Sequence, residues 1–198
     1  MGNKYQLLSD QRHLLHRGVF SKANSELRRQ RKIPIERIRG KDFVIDGYNV
    51  IITIEAGLSG RPLVLGDDGF IRDISGLSGN FRRTPKTEEA IRLIIKTLKK
   101  MKPHHSLFLF DAPISKSGKL AHELKESLKR DNLSGDARAV KVPEKILIGF
   151  PGVVATSDTA IIDQSKKVVD LAGGILSDKI GSASLIRWKG KRGPFENK

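Results

Sequence analysis

The stretch Phe43-Val44-Ile45-Asp46-Gly47-Tyr48-Asn49-Val50-Ile51-Ile52 decides the fold. A short β-prone apolar run leads into a carboxylate, a glycine permits a sharp bend, and a second apolar run follows Asn49. A strand that stops at a carboxylate presents it at the strand's C-terminal end, the edge where open α/β sheets bind ligands. The pattern recurs. Leu107-Phe108-Leu109-Phe110 ends at Asp111, and Val153-Val154-Ala155-Thr156-Ser157 ends at Asp158. Weaker runs at Ala139–Val142 and Ile175–Ser177 are followed by Glu144 and Asp178. Parallel neighbours of this kind bring several carboxylates to one rim, where their mutual repulsion calls for a hard divalent cation.

Between these runs the chain alternates into helices. Thr84-Pro85 opens one well, with a capping hydroxyl, proline at the first helical position and Glu88 and Glu89 in the first turn. Ala90, Ile91, Ile94, Ile95, Leu98 and Met101 share one face, and Pro103 ends the segment. Ser115–Lys129 reads as a second helix and Thr159–Leu171 as a third, ended by Gly173-Gly174. Strands alternating with helices of this length predict an α/β fold with a mostly parallel central sheet. Upstream, helices are expected from about Asp10 to Gly18 and from Ser21 to Gln30, then a turn at Ile35–Ile38. The expected organisation is a basic helical segment over 1–40, an α/β domain over 41–188 and a basic tail over 189–198. A glycine-rich insertion spans 57–83. It contains Gly-Leu-Ser-Gly twice and Gly66-Asp67-Asp68-Gly69 as a hairpin turn, and a lid beside the Asp46 edge is expected there.

The charge of +15 is unevenly placed. Residues 1–40 carry ten Lys/Arg against three Asp/Glu, and residues 187–198 carry five against one, so the ends hold most of the excess. Basic flanks around an acid-edged core suit a polyanion held by its phosphates, and RNA at the basic termini is the expected partner. The absence of cysteine removes disulfides, zinc–thiolate sites and thiol catalysis. No apolar run is long enough to span a bilayer, and no apolar signal segment follows Met1, so a cytoplasmic protein with no membrane partner is expected. A homodimer is compatible with this composition.

Asp46-Gly47-Tyr48-Asn49-Val50-Ile51, Phe110-Asp111 and Thr156-Ser157-Asp158-Thr159-Ala160-Ile161, in that order, resemble a PIN-like nuclease domain, nearest the branch called NYN or YacP-like. The resemblance covers roughly residues 41–188. The Leu14-Leu15-His16-Arg17-Gly18 context also resembles an uncharacterised archaeal family related to PIN domains. It implies a three-layer α/β/α fold and a ribonuclease that uses Mg2+ or Mn2+ to hydrolyse phosphodiesters. By that correspondence Asp46, Asp111 and Asp158 hold the ion, and Asn49 orients a phosphate or a water. Glu144 or Asp163 completes the set, and a glutamate near Glu88 or Glu89 is a further position used by such domains.

Bland roles exist for each acid: a turn at Asp46, a strand end at Asp111, a helix cap at Asp158. A non-catalytic RNA-binding scaffold on the same fold is the alternative function. A dehalogenase-like phosphatase wants an aspartate two residues after Asp46, where Tyr48 stands, and no phosphate-binding glycine loop follows a strand. His104-His105 is expected at the opposite sheet edge, and Tyr48 and Trp188 are candidate base-stacking aromatics.

Overall fold

The computed structural model describes residues 6–74, 81–177 and 185–188. Two helices open it, α1 (Ser9–Gly18) and α2 (Lys22–Arg31), with a 3-10 turn at Ile35–Ile38. Strand β1 (Asp42–Asp46) runs straight into α3 (Gly47–Leu58). A hairpin of β2 (Leu63–Leu65) and β3 (Ile71–Asp73) precedes α4 (Pro85–Met101) and β4 (His105–Asp111). Then come α5 (Ser117–Arg130), β5 (Gly135–Val140), α6 (Pro143–Gly149) and β6 (Val153–Ala155). Short elements α7 (Thr159–Gln164), β7 (Val168–Val169), α8 (Leu171–Leu176) and β8 (Leu185–Arg187) finish the chain.

The five-stranded sheet is wholly parallel, in the order β5-β4-β1-β6-β7. Strand alternation divides its apolar side chains between two faces. Phe43, Ile45, Phe108, Phe110, Val153 and Ala155 join the larger core with α3, α4, α5 and α8. Val44, Leu109 and Val154 join a smaller one with Leu147 of α6 and Ile161 of α7. This is the three-layer α/β/α arrangement expected from the sequence. From β1 the chain steps to β4 and β5, then returns across β1 to β6 and β7. Connections therefore leave β1 and β6 in opposite directions. That makes the gap between their C-terminal ends the topological switch point, where such sheets open a crevice.

Register and parity fix the functional rim. Val44 lies opposite Val154, and Asp46 lies opposite Leu109. Counting on by twos, Asp46, Asp111, Thr156 and Asp158 all fall on the side chain parity of Val44, Leu109 and Val154, the face covered by α6 and α7.

Several local expectations change. Gly47 makes no turn but is the first residue of α3. Its hydrogen is needed for space, because a Cβ there would stand 2.4 Å from the Phe110 ring and 2.8 Å from the Leu109 carbonyl. The run Val50–Ile54 is helical. Its lack of helical periodicity reflects burial on nearly every side of α3, which removes the polar stripe that marks an amphipathic helix. The helix expected over Thr159–Leu171 stops at Gln164, because Val168 and Val169 pair with Val154 and Ala155 as β7. Ile175 and Leu176 belong to α8, not to a strand. The strand expected at Ala139–Val142 runs Gly135–Val140, and α6 follows it.

The hairpin turn is formed as read, with Gly69 in the left-handed region at φ 81°. The second Gly-Leu-Ser-Gly, Asp178 and the tail 189–198 lie outside the described residues. No helix among the described residues is long and apolar enough to cross a membrane.

The first helices are bound into the domain. Asp67 N–H donates to the Gly18 carbonyl at 2.9 Å, and Ile33 N–H donates to the Val168 carbonyl at 2.8 Å. The buried Arg28 forks onto Asp163 with two 2.7 Å bonds and reaches Asp68 at 3.4 Å. Arg29 donates to the Asp67 carbonyl, and Lys32 to the Gly69 carbonyl and to Asp170. Three of the ten Lys/Arg of residues 1–40, Arg28, Arg29 and Lys32, are therefore spent on holding α2 in place.

Candidate active site

A cleft of about 430 Å³ opens at the switch point. Asp46, Asn49, Asp111, Glu144 and Asp158 all line it. Five elements thus send a polar group to one place: the end of β1, the first turn of α3, the end of β4, the first turn of α6 and the residue capping α7. None of the four carboxylates takes part in an ion pair among the described residues.

Asp46 sits at the floor. It keeps slight solvent contact, but protein surrounds it, and burial pushes its carboxyl up to about 7. The Thr156 hydroxyl, donating to Asp46 Oδ2 at 2.9 Å, opposes that rise. The charges of Asp158 and Asp111, which line the same cleft, add to it. Asp111 is raised too, by burial first and then by the charge of Glu144. The Tyr48 hydroxyl is pushed up to about 12 by burial and by Asp111.

A hydrogen-bonded frame holds the loop after β6. Thr156 Oγ1 accepts from the Asp158 N–H at 3.1 Å while donating to Asp46. Asn49 Oδ1 accepts from both the Ser157 N–H (2.9 Å) and the Ser157 hydroxyl (3.0 Å). The carbonyl half of Asn49 is thereby committed to the protein, so only its NH2 remains to serve a ligand. Asp158 Oδ1 caps α7, accepting from Ala160 N–H (2.8 Å) and Ile161 N–H (3.3 Å). One carboxylate oxygen can cap while the other faces a cation, since an ionised carboxylate has about four lone-pair sites.

Asp163 is not part of this cleft. Arg28 grips both of its oxygens, Arg31 stands 3.7 Å away, and Arg28 chiefly holds its carboxyl below the usual range. Its helix carries it toward α2, so it is a structural anchor. Glu88 and Glu89 pair with Arg83 and Lys86, away from the cleft. His104 meets Asp42, and His105 meets Ser134, at the N-terminal edge as expected. Tyr48 is buried against Phe110 (5.1 Å, edge-on) and Phe81 (4.9 Å), so it offers no face to a base. Trp188 packs beside Gly18.

The hairpin expected as a lid is a wall. Its Arg72 and Asp73 line the cleft, together with His16 and Arg17 from the end of α1. Arg72 is fully buried, pairs with the equally buried Asp68 at 2.7 and 2.8 Å, and donates from Nε to the Ser157 carbonyl at 2.7 Å. Phe20 lies against both Arg28 and Arg72. Sequence reading missed Thr156, Ser157 and Arg72. Thr156 was legible by counting two residues on from Val154, whereas nothing local marks Arg72.

Among the described residues, no three His, Asp or Glu side chains are gathered tightly enough to enclose an ion by themselves. The donor set still fits a small hard cation. Mg2+ is commonly bound by one or two carboxylates, its own waters and substrate phosphates, and not by an all-protein cage. Asp46, Asp111 and Asp158 line one cleft and pair with no lysine or arginine among the described residues, so they can supply such carboxylates.

Comparison with known proteins gives families without an assigned activity. The family described as "Domain of unknown function (DUF5616)" matches residues 35–174, and "Protein of unknown function (DUF434)" matches residues 1–31. An uncharacterised protein of Methanocaldococcus jannaschii is 34% identical over 173 residues, covering 86% of this chain and 82% of the relative. No solved structure matches the chain.

Proposed function

We propose that this chain, which belongs to the DUF5616 family, is a phosphodiester hydrolase acting on RNA with Mg2+ or Mn2+. The observation that carries the reading is the meeting of Asp46, Asp111, Asp158 and Glu144 in one cleft with no ion pair among them. Burial, with neighbouring acids adding to it, raises the proton affinity of Asp46 and Asp111, a cost that the fold accepts where a divalent ion completes the site. The resemblance of the Asp46–Ile51, Asp111 and Thr156–Ile161 segments to PIN-like nucleases supports the same chemistry.

Bound there, the ion would supply an activated water and neutralise charge building on the phosphate. Asp46, at the floor of the cleft, would hold it directly with one neighbouring carboxylate, Asp158 or Asp111, and the remaining acid would act through the ion's own waters. Thr156 keeps Asp46 in one orientation, and Asn49 offers its NH2 to a phosphate oxygen. Glu144, exposed on the α6 side of the cleft, would take the proton of the attacking water. In that reading the water oxygen would form the new P–O bond as the bond to the leaving oxygen breaks, and the leaving oxygen would collect a proton from solvent. A cytoplasmic location fits a cysteine-free chain with an RNA substrate.

The test is incubation of end-labelled RNA with the protein and Mn2+ or Mg2+, with and without chelator. Cutting is expected with metal, and Asp46→Asn or Asp111→Asn should reduce it more than about 100-fold. Binding of RNA without cutting in either metal would replace this reading with that of a non-catalytic RNA-binding protein.

A further inference from the structure

A second and larger hollow adjoins the carboxylate cleft. It measures about 1270 Å³ and shares the lining residues Tyr48, Pro113 and Ile114 with the cleft, so the two lie side by side. Its character is opposite. Arg82, Arg83, Lys116 and Lys119 line it, and no carboxylate does. Arg83 is pinned by Glu88 at 2.5 Å and by Glu123, which ties α4 to α5. Arg82 and Lys116 form no salt bridge among the described residues, and Lys119 reaches Glu123 only at 4.0 Å. Lys116, Lys119 and Arg82 are exposed. Phe81, braced against Tyr48 at 4.9 Å, is half-buried at the same wall.

We propose that this hollow is the track for a single-stranded polynucleotide whose scissile phosphate lies in the carboxylate cleft, a proposal that rests on the hydrolase reading above. Acids at the reacting position and cations along the flank are what a chain of phosphates needs. One phosphate meets the ion-binding acids, and the next ones meet Arg82, Lys116 and Lys119. A mononucleotide would leave most of that cationic wall unmatched. The half-buried Phe81 ring gives an unpaired base a stacking surface that a base inside a duplex cannot reach. The basic helix α2 is a poorer candidate for this work, since Arg28, Arg29 and Lys32 are committed to protein partners.

The test measures binding apart from cutting. The full-length protein, in chelator and without divalent ion, is titrated into fluorescein-labelled 12-nucleotide RNA, DNA of the same sequence, and the matching duplexes, from 0.05 to 0.2 M salt. Single strands of either sugar are expected to bind more tightly than duplex. Replacing Lys116 and Lys119 together by alanine should flatten the log–log salt slope by about 1.4, since each phosphate contact on a single strand contributes about 0.7. That slope corresponds to about 25-fold weaker binding at 0.1 M salt. Replacing Arg92 and Lys96, on the outer face of α4, should leave the slope unchanged. Equal effects of the two double variants, or tighter binding of duplex, would overturn the proposal. Because no ion is present, an absence of hydrolysis counts against the enzyme and not against the track.

Discussion

Replacing Asp46 with asparagine should make the protein more stable at pH 8 and leave it nearly unchanged at pH 4, measured in chelator. Burial lifts the Asp46 carboxyl from 3.8 to about 7 in the folded chain. Between those values the folded protein holds a proton that the unfolded chain has released. Stability therefore falls as pH rises from about 4 to about 7, and stays lowered above that. The full difference is about 4 kcal/mol at 1.36 kcal/mol per tenfold change in proton affinity. Partial solvent contact at the cleft floor screens some of it, so about 2 to 4 kcal/mol is expected. For a chain of this length that is roughly 5 to 15 °C in Tm. Asparagine keeps the shape and can still accept from Thr156, but carries no charge to desolvate.

Melting curves of both proteins across pH 4 to 8 give the readout, with the difference between them isolating the one group. Mg2+ should narrow the gap at pH 8 by raising the melting point of the native protein alone, by about 2.7 kcal/mol when the ion is at 100 times its Kd. Below pH 6 the ion competes with the Asp46 proton and should lose effect. An Asp46→Asn protein that melts lower than the native one at pH 8 would refute the argument, since ionised Asp46 would then be held by favourable contacts.

Arg72→Ala should cost about 3 to 5 kcal/mol in urea unfolding, because it leaves the fully buried Asp68 with the longer 3.4 Å ion pair to Arg28 and removes the bond to the Ser157 carbonyl. Adding Asp68→Ala should recover part of that loss, and a strictly additive double variant would argue against a shared pair. Asp163→Asn should lower stability by about 1 to 2 kcal/mol near neutral pH through the lost Arg28 fork, with Mg2+ binding by calorimetry unaffected. The Asp163 contribution is present above pH 4 and disappears as pH falls through its lowered folded value, so the two proteins should converge in strong acid.

The α/β class, the parallel sheet and the strand-end acids follow from sequence because each is a local signal. Apolar runs of three or four residues leading to a carboxylate mark β1, β4 and β6, and Thr84-Pro85 marks the start of α4. Even the face shared by Asp46, Asp111 and Asp158 follows from counting by twos once the strands are parallel. Elements buried on all sides are less legible. Helix α3 has too little polar surface for a stripe, and β7 is two valines whose strand character exists only because β6 lies beside them.

What the tertiary structure alone decides is which charges are spent and which are left. Asp158 and Asp163 stand five residues apart on one short segment, yet one faces the cleft and the other is gripped by Arg28, 135 positions earlier in the chain. Arg72 and Ser157 are joined across 85 positions, and Asn49 and Ser157 across 108. Composition counts every lysine and arginine alike, but only packing separates Arg28, neutralised under α2, from Lys116 and Lys119, which line an acid-free hollow. Charge acts through space with the distance and solvent exposure of each pair. Sequence fixes the residues, and the fold sets those distances.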